Sequence, residues 1–505
     1  MVDNLIQGKT RARREFCSFY TESGPILTYM VKRLGVVHGD SILEPCAGDG
    51  IFIEKLLTSI NNESFHIEAV DLNPKAVAGL KKKFTTDNVT IRQADTLLDF
   101  KNDLFRDRNF FFNKIIGNPP YGAWQDLEKR ELLKNIYGGY VKETYTLFLR
   151  KCIDLLKENG RLVFIVPDTF LALHMHKDTR KKILQNAKIE EIVLMPSSFF
   201  PGVSFGYSNL CIISFVKSSK DKDNTINIVS IKNSIDDLYE IADGNYSVAN
   251  DFQSIPQDEV LKSDDYSFLL GSNKEVRSFI KKSEVKLGDI ADCVTGFCSG
   301  DNKKYIRVKD SSIKGSKGYL TVNPSEIEFD FLNQENLLEG LKNGGKYIPF
   351  LKSANRPFLK STEWFVQWDK DTIYDYKNNT VSRFQNSKFY FREGIGVPMV
   401  KSAKIHAILL EKRLFDQSIV GIFPKDKKYQ NYLLAFLNSD ACSRLIKIIN
   451  HTANNSANYL KRLPIIIEEK SLKEINLLVK EILDGDNLEP RLIEINKTFN
   501  RIYEI

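Results

Sequence analysis

The residues with the most chemical character are Asn118-Pro119-Pro120-Tyr121, placed directly after the apolar positions Phe110, Phe111, Phe112, Ile115 and Ile116. Such a run predicts a buried strand of a parallel sheet. Two consecutive prolines fix φ and remove two donors, so the backbone must leave the sheet as a rigid extended loop. At the carboxyl end of a strand, that loop faces the crevice where open α/β sheets bind ligands. An amide, a free carbonyl and a phenol ring suit one chemical problem. The exocyclic amine of a nucleobase is a poor nucleophile, because its lone pair is delocalised into the ring. The Asn118 side-chain oxygen and the Pro119 carbonyl can each accept one N–H, which favours a more tetrahedral nitrogen, while Tyr121 can stack on an extruded base. Taken alone, the same four residues also fit a proline-rich turn after a core strand.

The elements that must position this loop follow a β-then-α rhythm. Thr21 or Ser23 can cap a helix carrying Ile26, Leu27, Met30, Val31 and Leu34. Ser41-Ile42-Leu43 is a short strand, and Glu44-Pro45-Cys46-Ala47-Gly48-Asp49-Gly50 is a small-residue turn leading into a helix from Ile51. Small residues there let backbone approach a ligand. The pattern is not GxGxxG and no Walker lysine follows, which disfavours a dinucleotide or triphosphate. The strand from His66 to Val70 ends in Asp71, 21 positions beyond Gly50, where a ribose diol would be held. Asn73-Pro74 supplies a cap and a first-turn proline for the next helix. The strand from Val89 to Ala94 ends in a second acid, Asp95. Either acid could instead cap a turn; two at consecutive strand tips favour a ligand. Residues 122–140 are polar and carry no predicted element. A helix from Tyr145 to Leu156 follows, closed by Asn159-Gly160, and then strands from Leu162 to Pro167, Ile189 to Met195 and Asn209 to Val216. The expected architecture is a mostly parallel, doubly wound α/β sheet over residues 1–220, and a separate α+β domain over 225–505, beyond a charged stretch.

Composition narrows the classes. In 505 residues, 72 Lys and Arg face 65 Asp and Glu, a formal +7 that is compatible with a polyanionic partner and does not demand one. No apolar stretch reaches membrane-spanning length, and no signal-peptide core is present, so a cytoplasmic protein without a membrane is expected. Seven scattered cysteines without CxxC pairs and six histidines point to free thiols and no metal site.

Tyr-Thr-Glu, Glu-Pro-Cys-Ala-Gly-Asp-Gly, Val-Asp-Leu-Asn, Ala-Asp, Asn-Pro-Pro-Tyr, Leu-Val-Phe-Ile-Val-Pro and Cys-Ile-Ile-Ser-Phe-Val occur in one order. That order resembles the γ-class DNA adenine-N6 methyltransferases of type II restriction–modification systems, the TaqI type. Length and the opening segment also resemble the PstI/BsuBI modification enzymes. The resemblance implies S-adenosyl-L-methionine as cofactor, with Thr21, Glu44, Ala47, Gly48, Gly50, Asp71, Asp95 and Phe148 as its binding residues. It implies Asn118, Pro119, Pro120 and Tyr121 as the catalytic motif, and Phe215 as a second aromatic against the flipped adenine. Asp49 stands where many relatives carry Ser or Thr. The implied partner is double-stranded DNA, with a separate cognate restriction endonuclease and a monomeric state. A fused nuclease is disfavoured, because the chain begins almost at the first motif. N4-cytosine methylation, RNA adenine methylation and a catalytically silent specificity subunit are the alternatives. The motif for N4-cytosine more often begins with Ser, and an intact Asn118–Tyr121 motif argues against a silent subunit.

Beyond residue 224 the rhythm breaks. Leu287-Gly288-Asp289-Ile290 and Val294-Thr295-Gly296 resemble the start of a target-recognition module. Residues 346–400 interleave Lys352, Asn355, Arg356, Lys377, Arg383, Lys388 and Arg392 with Trp364, Trp368, Tyr374 and Tyr390. These are the donors and rings that phosphate contacts and base stacking need, though a solvated face over an aromatic core fits each one equally. Residues 431–449 predict one amphipathic helix.

Overall fold

Repeated strand–helix units bury both faces of a parallel sheet by packing the helices on it. The computed structural model describes residues 23–60, 64–98, 111–122, 125–199, 209–218, 223–270, 280, 283–342, 344–353, 356–358, 362–400, 404–450 and 454–504. Thr21, the arginines at 11, 13 and 14, and Asn355 lie outside the described residues. Two compact units divide between Phe268 and Leu269.

The first unit runs α1 (Gly24–Leu34), β1 (Ser41–Glu44), α2 (Ile51–Ser59), β2 (His66–Asp71), α3 (Pro74–Lys83), β3 (Val89–Gln93) and β4 (Phe112–Gly117). It continues with α4 (Leu127–Tyr137), α5 (Thr144–Leu155), β5 (Leu156–Pro167), α6 (Lys177–Asn186), β6 (Ala187–Met195), β7 (Leu210–Lys217), β8 (Thr225–Ser230) and β9 (Asp251–Pro256). The strands form one sheet in the order β3-β2-β1-β4-β5-β7-β6-β8-β9. β3, β2, β1, β4 and β5 are mutually parallel, and β7 runs antiparallel to both its neighbours. The interior strands are buried on both faces, as their near-continuous apolar runs require. At the start of α3 the cap is as the sequence predicts: the Asn73 side chain accepts the Lys75 N–H at 3.0 Å, and Pro74 occupies the first turn.

The described structure differs from the sequence reading in four places. The expected boundary at 220–225 falls inside the sheet, because β8 pairs in parallel with β6 and β9 pairs with β8. Glu191 on β6 fastens this extension: it is buried, pairs with Arg33 of α1 at 2.5 Å, and accepts hydrogen bonds from Tyr29 of α1 and, at 2.6 Å, from Tyr246 after β8. Residues 127–137, read as irregular, form α4. Asp126 caps it by accepting the Lys129 N–H at 2.7 Å, and Gly138 ends it at φ 65°. Asn159-Gly160 does not close a helix. α5 stops at Leu155, and these two residues kink β5, where Asn159 takes φ 65° and the register with β4 shifts between Phe112 and Lys114. A Cβ on Gly160 would lie 3.0 Å from the Phe112 carbonyl oxygen, so the close pairing there needs glycine.

The second unit contains a four-stranded sheet, β10-β18-β15-β16, and a five-stranded sheet, β12-β11-β14-β13-β17. In chain order the strands are β10 (Ala291–Thr295), β11 (Ile306–Val308), β12 (Leu320–Thr321), β13 (Tyr347–Leu351), β14 (Trp364–Gln367), β15 (Ile395–Pro398), β16 (Ile408–Leu409), β17 (Leu414–Phe415) and β18 (Ile419–Pro424). The fourth difference lies here. The single helix expected over 431–449 is two, Gln430–Asn438 and Asp440–Ile449, because Ser439 leaves helical geometry and its hydroxyl accepts the Cys442 N–H at 3.1 Å. Helices Glu469–Asp484 and Leu488–Tyr503 close the chain. Among the described residues no helix is long and apolar enough to cross a membrane.

Candidate active site

Strand β1 lies between β2 and β4, and here the order of the strands reverses direction, so the loops leaving β1 and β4 part to open a crevice. The loop after β1 is strapped to the tip of β2. The Ala47 N–H donates to the Val70 carbonyl at 2.9 Å, and the Gly48 N–H donates to one Asp71 carboxylate oxygen at 2.8 Å. The Asn73 N–H donates to the other oxygen at 2.8 Å. Gly48 and Gly50 have φ of 56° and 78°, a region that favours glycine. A Cβ on Gly50 would sit 2.5 Å from Phe84 and 2.6 Å from Leu80, so this glycine serves close packing beneath α3.

Glu44 ends β1 and is buried, and its Oε2 has no hydrogen-bond partner among the described residues. Burial, reinforced by the charges of Asp49 and Asp71, pushes its carboxyl well above the usual carboxylate range. A buried carboxylate oxygen left unpaired destabilises the protein unless a donor or cation meets it. Asp71 is also pushed up by burial, an effect opposed by its backbone hydrogen bonds. Asp95, just beyond β3, accepts the Leu97 N–H at 3.0 Å on one oxygen and pairs with Lys129 of α4 at 2.6 Å on the other.

The Asn118 loop rests against the β1 loop. Above Gly117 a Cβ would lie 3.5 Å from Pro45 and 3.7 Å from the Cys46 sulfur, and that sulfur accepts the backbone N–H of Asn118. Asn118 and Pro120 are half-buried, and Pro119 is buried. The Pro120 carbonyl accepts the Thr144 hydroxyl at 2.5 Å, which fixes the loop to the first turn of α5. Phe148, buried one turn further along α5, lies on the same helix face as Thr144. The Tyr121 ring is buried edge-on against Tyr145, with centroids 6.2 Å apart and planes at 88°, and its hydroxyl lies 3.4 Å from the Ile165 carbonyl. The Tyr145 hydroxyl in turn meets the Thr169 hydroxyl at 3.0 Å.

The fold therefore brings Glu44, Ala47, Gly48, Gly50, Asp71, Asp95, Asn118, Pro119, Pro120 and Tyr121 to one edge of the sheet. Phe215 is not among them. It is fully buried in mid-β7, opposite Leu162, which pairs with Ile115, below the Asn118 loop. It is a core residue. Cys46, Lys129, Thr144 and Tyr145 were missed by sequence reasoning. Only Thr144, a hydroxyl at the first position of a helix, left a local signal. Among the described residues no cluster of three His, Cys, Asp or Glu could hold a metal ion.

A sheet of this order, reversed at β7 and again at the β9 edge, with a glycine loop after β1 and acids at the next two strand tips, has the arrangement of the S-adenosylmethionine-dependent methyltransferase fold. The residues fit that cofactor: its ammonium is a natural partner for the orphaned Glu44 oxygen, and its ribose hydroxyls for the remaining lone pairs of Asp71. Residues 49–200 match the Eco57I restriction-modification methylase family. The chain is similar to the type II methyltransferase M.HincII of Haemophilus influenzae, 24% identical over 527 aligned residues that cover 95% of this chain and 94% of that protein. Among solved structures it is similar to a nuclease-deletion mutant of the Type ISP restriction-modification enzyme LlaGI in complex with a DNA substrate mimic (TM-score 0.58, 14% identity, 92% of this chain and 47% of that one). It is also similar to a DrdV–DNA complex (TM-score 0.55, 14% identity, 94% and 57%). The chain thus spans about half the length of these two structures. The chain is therefore similar to restriction–modification methyltransferases, and its site fits S-adenosylmethionine as cofactor.

Proposed function

We propose that the protein methylates N6 of an adenine rotated out of double-stranded DNA, at a short sequence selected by the second unit, and so protects DNA from a separate cognate restriction endonuclease. The observation that carries this reading is the placement of Asn118 and Pro119 beside the β1 loop at the switch point of the sheet. The cofactor supplies an electrophilic methyl carbon. The chain's own residues do the rest. The Asn118 amide oxygen and the Pro119 carbonyl accept the two N–H groups of the target amine, so its lone pair is freed from the ring. Thr144 keeps the Pro120 carbonyl occupied and so holds the loop at a fixed height. Tyr121 offers an aromatic surface at the floor of the crevice, and stacking of this kind returns roughly 1–3 kcal/mol per extruded base.

Asn at the head of the motif, and the γ-class, TaqI-type order of the remaining motifs, favour adenine N6 over cytosine N4. The relatives whose descriptions name DNA favour a DNA substrate over RNA. For the second unit, Arg356, Lys377, Arg383, Lys388 and Arg392 are exposed and available to phosphates. Trp364, Trp368 and Tyr390 are buried and leave Tyr374 as the outward ring of this set.

The test is single-molecule sequencing of DNA from cells that express the chain, alongside the Asn118→Ala variant. N6-methyladenine at one short motif, lost in the variant, is expected. N4-methylcytosine, or methylation without a motif, would overturn the assignment of base or of specificity.

A further inference from the structure

Two consecutive residues of α5 hold the Asn118–Tyr121 loop. Thr144 occupies the Pro120 carbonyl, and the Tyr145 ring stands edge-on against Tyr121. The chain beyond the loop returns to the same place, since the Gln125 side chain donates to the Val141 carbonyl at 2.9 Å. Tyr145 is in turn gripped by polar groups. Its hydroxyl meets that of Thr169, just beyond β5, at 3.0 Å and lies 3.5 Å from Nε2 of His176, the residue before α6. The same Nε2 lies 3.1 Å from the carboxylate of Glu143, the residue before α5. A carboxylate only accepts, so the imidazole donates to it. His176 is 1% exposed and packs edge-on to both Tyr140 and Tyr145, and its Nδ1 has no partner among the described residues. Burial and the charge of Glu143 push the Tyr145 phenol well above its usual range, so it keeps its proton. An imidazole enclosed at this depth with one nitrogen unmet costs stability, and a leucine there would not. What the polar cluster supplies instead is one fixed orientation of the Tyr145 ring.

We infer that His176 is a positioning residue for methyl transfer: with Glu143 and Thr169 it fixes the Tyr145 ring, whose contact sets the plane in which Tyr121 meets the extruded base. This deepens the reading of the Asn118 loop as the target-base site and rests on it. An edge-to-face contact has a defined geometry, because the positive edge of one ring meets the negative face of the other. The Tyr121 ring therefore tilts if Tyr145 does. A stacked base tilts with it, and its amine moves against the Asn118 oxygen and the Pro119 carbonyl. A misplacement of about 1 Å at a reacting atom can cost on the order of 100-fold in rate, so a cluster remote from the base can govern turnover while leaving the cofactor site untouched.

Time-resolved fluorescence tests this, with 2-aminopurine placed at the methylated position of the duplex motif found by sequencing. Stacking on Tyr121 quenches the probe to a short lifetime, and Tyr121→Ala supplies the unstacked reference. With the full chain and S-adenosylhomocysteine, His176→Leu and Tyr145→Phe should each shift the lifetimes toward that reference. Each should also lower the single-turnover rate about tenfold, the size of one lost hydrogen bond, with the Kd for S-adenosylhomocysteine unchanged. His176→Gln keeps a donor near the Nε2 position and should restore both readouts. Adding His176→Leu to Tyr145→Phe should change nothing further. If His176→Leu keeps the lifetimes of the unaltered chain, whatever happens to rate or melting temperature, the cluster serves stability alone and the inference fails. Should that variant not fold, Tyr145→Phe decides by the same criterion. If Tyr121→Ala itself leaves the lifetimes unchanged, the base does not stack on Tyr121, and the target-base reading falls together with the inference.

Discussion

The two units use charge and aromatic rings in opposite ways. In the first, carboxylates are brought inward: Glu44, Asp71 and Asp95 gather at strand tips along one sheet edge, where burial and backbone hydrogen bonds fix them. In the second, rings go inward and cations outward: Phe297, Trp368, Tyr376 and Tyr390 pack edge-to-face, while Lys377, Arg383 and Lys388 stand in solvent. A small ligand is recognised by groups whose positions are set before it arrives, and burial sets them. A polyanion is met by many exposed cations whose positions matter less than their number. Under the proposed function, the difference in burial follows the size and charge of what each unit would meet.

The sharpest way to break that comparison is Asn118→Ala. Turnover should fall on the order of 1,000-fold or more, with S-adenosylhomocysteine affinity unchanged, because the amide acts only as the nitrogen becomes tetrahedral. Single-turnover kinetics beside calorimetry checks it, and near-normal turnover would remove the first unit's claim to the chemistry. Trp368→Ala should cost the second unit about 3–5 kcal/mol, since the ring stacks on Phe384 and its N–H donates to the Leu337 carbonyl at 2.8 Å. Denaturant unfolding should show the loss while cofactor affinity holds. Asp71→Ala should weaken cofactor binding by roughly 1.5–3 kcal/mol for each charge-assisted hydrogen bond lost, and calorimetry with an unaltered Kd would count against its role at the diol.

Glu44→Gln separates stability from binding. The folded carboxyl is raised above its unfolded value, so the folded protein binds the proton more tightly and stability declines as pH rises from the unfolded value toward the folded one. Glutamine removes that penalty. Melting at neutral pH should rise by roughly 2–4 °C, its pH slope should flatten, and cofactor affinity should drop; a lower melting temperature would contradict the orphaned carboxylate. The smallest effect is expected for Ser439→Ala, about 1 kcal/mol for the lost cap, without change in either ligand's binding.

What was legible in the sequence had local causes. Asn73-Pro74 wrote a helix start in two residues, and the apolar run before Asn118 wrote a strand end in the next two. The Asp71 position followed from strand–turn–helix spacing. What was not legible depended on distant partners. In β7 every residue from Leu210 to Phe215 is buried, so no periodicity distinguishes the edge from the middle, and only pairing with β5 puts Phe215 below the crevice. α4 escaped because its single buried side chain is Leu133, while Leu127 and Leu132 are exposed, which erases the apolar stripe. Its caps, Asp126 and Gly138, were the surviving signal. The tryptophans at 364 and 368 have the spacing of a binding surface and the surroundings of a core, and spacing alone does not choose between them.

The Glu191 cluster has a consequence for how such chains can recombine. Because Tyr29 and Arg33 near the start and Tyr246 near the end of the first unit share one buried charge, that unit is closed on itself only after the strands beyond residue 220 are present. A crossover between related genes near that position would keep Arg33 with Glu191 but give that charge a stranger's residue in place of Tyr246. One placed at 268–269 would leave the cluster whole, and chimeras whose first unit stays soluble are expected to be those joined there.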